Sequence, residues 1–226
     1  MTAQFISDNP KASGDFPQRM FRVFDNPEYA KSMVEHGRFR FGNLNKYVEM
    51  EDAIRRDATE GVGERRVRGM IERIVVEREG NSISRVERVP GEMNHTYINR
   101  NAIYVCSFVA PDSHNLRDVP EKFGKYVVQI DDAERLTQDV INFRWASDKR
   151  FAQTVQCVRV IYDKGEVGDH DPEAWTLAFK QKPSHFSDEH ETRLVMLSDA
   201  SPGQNPPTHF DVDLGCPLPY ASYIER

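Results

Sequence analysis

Apolar residues fall along this chain mostly in short blocks, several alternating with a period of two, and only a few segments carry helical spacing. "MFRVFDNPEYAKSMVEHGRFRF" predicts strand, helix and strand, with an apolar run at Met20 to Phe24 and helical spacing through Tyr29, Met33 and Val34. Asp25 or Asn26 supplies the N-cap, Pro27 fits a first helical position and Gly37 ends the helix. "RFRFGNL" alternates as a half-buried strand does, and "NKYVEMEDAIRRDATEGVGE" follows as a polar loop or short helix. "RGMIERIVVERE" and "SISRVERV" flank the turn dipeptide Gly80-Asn81 and predict a hairpin. "NAIYVCSFVA" is almost continuously apolar, rich in β-branched and aromatic residues, and reads as a central strand.

"KYVVQID" and "QCVRVIYD" are two further strands with "DAERLTQDVINF" as a helix between them. "PEAWTLAFKQK" opens on a proline and predicts another helix, "TRLVML" a strand, and "HFDVDLG" a late edge strand after the loop "SDASPGQNPPT". Strands outnumber helices and do not alternate regularly with them, so the expected class is α+β with a mainly antiparallel sheet and a few flanking helices. Residues 1–18 read as a polar lead-in and 19–226 as one α+β domain. No internal repeat or low-complexity segment interrupts it.

Composition narrows the function classes. With 38% hydrophobic and 29% charged residues over 226 positions, the chain can bury a core, and it lacks the roughly 18 consecutive apolar residues that a membrane span needs. The N-terminus "MTAQFISDNPKASGDF" is polar where a secretory signal is apolar, so the expected location is cytoplasmic and no membrane partner is expected. Cys106, Cys157 and Cys216 are widely spaced and form no CxxC, which predicts buried thiols in place of disulfides or a zinc cluster. A net charge of −6 argues against bulk attraction to nucleic acid. The local cluster Arg65, Arg66 and Arg68 is interleaved with acids and reads as a solvated face.

The densest charge lies in "HFSDEHETRLVM", where Glu189-x-Glu191 precedes a strand. Residues two apart on a strand share a face, so the spacing projects both carboxylates together, a costly placement unless a cation or a hydroxyl-rich ligand meets them. Such a pair suits glycosyl transfer, one carboxylate stabilising an oxocarbenium-like centre and the other orienting the acceptor. The plainer reading is an exposed acidic loop in which Glu191 pairs with Arg193 or another arginine. Lys180 and Lys182 either place positive charge beside these carboxylates or end a helix. "IRRDATEG", with Arg55, Arg56, Asp57 and Glu60, reads as a ligand-covering loop or a salt-bridged turn. His185 and His190 make no HExxH pattern, and Asp169, His170 and Asp171 are adjacent residues that seldom converge on one ion, so no metal is expected. There is no P-loop, GxGxxG, GxSxG or Cys-His signature.

Arg22 in "MFRVF", the later "RFGNLNKY" and the final Glu-x-Glu together resemble the three-part pattern of the mono-ADP-ribosyltransferase superfamily. That resemblance implies a strongly bent antiparallel sheet, NAD as substrate, Glu191 as the catalytic carboxylate with Glu189 orienting the acceptor, and Arg22 on the NAD phosphates or ribose. Phe41, Tyr47 or Tyr104 would stack on the nicotinamide, with Asn43 beside them in the middle strand. Gly42-Asn43 stands where the arginine-specific transferases carry Ser-Thr-Ser, so the acceptor stays open. "GRFRFGNLNKYVEMEDAIRRDATEG", "NAIYVCSF" and "FKQKPSHFSDEHETRLVM" are also similar to blocks of an uncharacterised bacterial and phage domain family found in defence islands, often near abortive-infection genes. This similarity implies a shared fold and a role in phage–host conflict, with a macromolecular acceptor or an antitoxin-like protein as partner. Two further readings accompany the transferase: a non-enzymatic protein- or nucleotide-binding module, and an RNase-type toxin using Glu191, His190 and the arginines of "IRRD".

Overall fold

The computed structural model describes residues 10–44, 62–76, 83–98, 103–148, 152, 154–162, 177–197 and 207–226, with only the backbone of 62–76, 83–98 and 177–178. In chain order the elements are β1 (Met20–Phe24), α1 (Pro27–His36), β2 (Arg38–Asn43), β3 (Val62–Val76), β4 (Ile83–Ile98), β5 (Ile103–Val109) and β6 (Tyr126–Ile130). They continue as α2 (Ala133–Ser147), β7 (Gln156–Arg159), α3 (Leu177–Lys180), β8 (Glu191–Leu197), β9 (His209–Asp213) and β10 (Ala221–Glu225). The class is α+β, with an eight-stranded antiparallel sheet that does not close and a separate two-stranded ribbon, β3 with β4.

Local chemistry sets the ends of α1. Asn26 is the cap, its Oδ1 accepting from the Glu28 N–H at 2.9 Å, and Pro27 follows it. Gly37 closes the helix at φ 63°, a left-handed conformation, and a Cβ there would lie 2.7 Å from Leu214 Cβ. The sharp stop turns the chain straight into β2.

The apolar run predicted as a central strand is the centre of the sheet. All of β5, from Ile103 to Val109, pairs with β8. Its other edge is shared: β1 meets it at Phe21↔Val109, and β2 meets it at Gly42↔Val105 and Asn43↔Tyr104. β1 then carries β6 and β10, while β2 carries β9. The sheet therefore forks beside residues 106–108.

Each face has its own packing. On one face Met20, Phe41, Tyr104, Cys106, Phe108, Val128 and Leu194 form the main core with Met33 of α1 and Leu136, Val140 and Ile141 of α2. The other face carries two smaller apolar clusters, Phe21 with Val109, Val119 and Val127, and Ile103 with Val105, Val158, Phe179 and Val195. Between these two clusters the sheet presents Ser107, Glu191 and Arg193.

One expectation is corrected in extent, and one strand carries no signal in the sequence. The strand read in "QCVRVIYD" stops at Arg159, and Ile161 instead bridges in parallel to Gln181. β10, near the C-terminus, lacks the long apolar run that would mark it in the sequence and is fixed by pairing with β6. Residues 45–61, with Tyr47 and the "IRRDATEG" stretch, lie outside the described residues, as do Asp169, His170 and Asp171.

Candidate functional site

The two glutamates are brought together by a turn, not by one continuous strand. A 3₁₀ segment, Ser184–Glu189, ends at His190, which sits at φ 45° and ψ 45°. This left-handed residue reverses the chain so that β8 begins at Glu191. Two backbone–backbone hydrogen bonds and one from the backbone to a side chain lock the junction. The Ala110 N–H donates to His190 O at 2.7 Å, the Val160 N–H to Glu191 O at 2.9 Å, and the Glu191 N–H to the Tyr162 hydroxyl oxygen at 2.6 Å.

Both carboxylates are buried, with side chains 7% and 8% exposed, and both meet Lys182, whose Nζ stands 2.6 Å from Glu189 Oε2 and 3.1 Å from Glu191 Oε2. Arg193 binds Glu191 in a two-point fork, Nε to Oε1 at 2.8 Å and Nη2 to Oε2 at 3.0 Å. Its Nη1 donates to Phe179 O at 2.9 Å. The exposed acidic loop of the plainer reading is thus replaced by a buried cluster, but the Glu191–Arg193 pair of that reading is present. Burial alone pushes the Glu191 carboxyl up; Arg193, then Lys182, then hydrogen bonds from Arg193 and Ser107 outweigh it and hold the group down at about 2. Burial raises the Tyr162 hydroxyl well above its ordinary range, and the neighbouring carboxylates add to the effect.

This cluster forms one wall of a cavity of about 420 Å³. Phe21, Val23, Val109 and Phe123 supply apolar walls, Asp25 and Tyr29 stand at the start of α1, and Phe24 and Phe108 border the cavity where β1 leaves β5. Ser107 lies opposite Arg193 across the β5–β8 ladder. The dimensions and the mixed lining suit an organic ligand.

Arg22, Phe41, Asn43 and Tyr104 are not brought to this cavity. Arg22 projects from the other face of β1, stacked 5.4 Å from the Phe24 ring and 5.6 Å from the Phe108 ring. Its Nη1 donates to Cys106 Sγ and its Nη2 to Arg40 O at 3.3 Å, so the guanidinium fills the fork between β1 and β2. Phe41, Asn43 and Tyr104 are buried at 0%, 2% and 2% exposure, and Tyr104 donates to Pro207 O at 2.8 Å. The pleat sends the side chains of Arg22, Phe41, Asn43 and Tyr104 to the face opposite Glu191, so the sheet does not bring these four together with the glutamates.

Lys182 had a signal in the sequence as a cation close to the glutamates. Ser107 and Phe21 had none beyond their strands, and only pairing brings them beside Glu191. Among the described residues no cluster of three or more His, Cys, Asp or Glu could hold a metal ion, and no helix is long and apolar enough to cross a membrane. No protein-family model, curated protein or solved structure matches the chain.

Proposed function

We propose that the protein is a recognition module that binds a small organic ligand in the cavity over β1, β5 and β8. The observation that carries this reading is the buried Lys182–Glu189–Glu191–Arg193 cluster set into the wall of an otherwise largely apolar cavity. Burying four charges costs several kcal/mol per ion before their mutual attraction offsets it, and an apolar replacement of similar shape is often as stable. Polar groups converging on a cavity orient a ligand. The resemblance of its sequence blocks to defence-island domains supports reading this recognition as part of phage–host conflict, with a nucleotide or an antitoxin-like protein as the proposed partner.

A second reading, NAD-dependent transfer of ADP-ribose to an unknown acceptor, is favoured by one feature. Glu191 is held ionised inside the cavity wall, as a carboxylate that faces an oxocarbenium-like ribosyl cation must be. This reading rests on Glu191 and Glu189 without Arg22. Calorimetry with NAD, followed by assay of released nicotinamide over hours, separates the two. Binding without release supports the recognition module. Release that disappears in both Glu191→Gln and Glu189→Gln supports the transferase or glycohydrolase, and absence of NAD binding removes that second reading.

A further inference from the structure

Hydrogen-bonding capacity in the cluster is unevenly used. All three guanidinium nitrogens of Arg193 donate within the protein, two to Glu191 and one to Phe179 O. The Lys182 ammonium meets both carboxylates and stands 4.7 Å from the Phe186 ring. Glu191 receives the Arg193 fork at both oxygens and Lys182 at Oε2.

Glu189 differs. Its Oε2 receives Lys182 at 2.6 Å, while Oε1 meets the half-exposed Lys122 at 3.7 Å, a lysine also held by Asp188 at 3.2 Å. Within the charged cluster the spare capacity is therefore acceptor capacity, on Glu189 Oε1. The lining charges agree: Asp25, Glu189 and Glu191 against Lys182 and Arg193 leave one net negative charge. Phe21 lines the same cavity beside Val23 and Val109, and an aromatic wall suits a flat ligand.

Resting on the recognition reading above, we propose that the ligand is a flat nitrogenous group that donates hydrogen bonds and is neutral or cationic, such as an amidinium or an amino-substituted heterocycle. Glu189 is the residue that receives it, displacing the long contact to Lys122, while Glu191 holds the wall in shape. A phosphate or carboxylate would meet cations whose donors are already committed and the acceptor oxygen of Glu189.

The test uses benzamidine, benzamide and benzoate as probes of one shape and three charges, with binding to the full chain followed by NMR at the resonances of Phe21, Val109 and Ser107. The expected order is benzamidine, then benzamide, then benzoate, each step about ten-fold. Glu189→Gln should weaken benzamidine about ten-fold while changing benzamide binding by less than about two-fold. Benzoate binding as tightly as benzamidine, or benzamidine indifferent to Glu189→Gln, overturns the inference and leaves the cavity as a binding site. If none of the three probes moves those resonances, the inference and the recognition reading fall together.

Discussion

Glu191 ties acid stability to a single side chain. Its folded carboxyl lies at about 2 against an ordinary value of 4.5, so the folded state binds this proton more weakly than the unfolded chain. The stabilisation is fully present above about pH 4.5 and is lost as pH falls toward about 2, amounting to about 3 kcal/mol between those limits. Denaturant titrations at pH 6, 4 and 3 should show this loss, and Glu191→Gln should be less stable at pH 6 and flatter across the range. Equal slopes in the two proteins would contradict the assignment. The Glu-x-Glu spacing was legible at this scale, as was the alternative partner Arg193. Which partner wins was not legible, because it depends on how completely water is excluded from the cluster, and that comes from residues far away in the chain.

At the scale of elements, the apolar runs and caps located β1, α1, β2, β5, β6, α2, β8 and β9. The junction before β8 is different: a strand was expected to carry both glutamates, and a 3₁₀ segment with a left-handed residue carries Glu189 instead. His190 at φ 45° bears the conformational cost of that turn. His190→Gly should keep or slightly raise stability, and His190→Val should lower it by about 1–2 kcal/mol. Thermal unfolding checks the pair, and equal midpoints for the two variants would deny the strain. A propensity reading misses such a turn because histidine has no strong preference for it; the Ala110 and Val160 hydrogen bonds impose it from neighbouring strands.

In the whole molecule, Arg22 acts across the fork that divides the sheet. Its guanidinium joins β1 to Cys106 of β5 and to Arg40 O of β2, and stacks on Phe24 and Phe108. Arg22→Met should destabilise the fold by about 1–2 kcal/mol through the lost hydrogen bond to buried Cys106 and the lost stacking on Phe24 and Phe108, measured by urea unfolding. An unchanged midpoint would remove the wedge role. The sequence by itself determined the strand-rich α+β class, the caps of α1, the central position of β5 and the crowding of carboxylates before β8, since each follows from local periodicity or backbone chemistry. Only the tertiary structure decided that Arg22, Phe41, Asn43 and Tyr104 lie on one face of the sheet and Glu191 on the other. Strand pairing and the pleat set those faces relative to one another, and both depend on contacts between residues as distant as Phe21 and Val109.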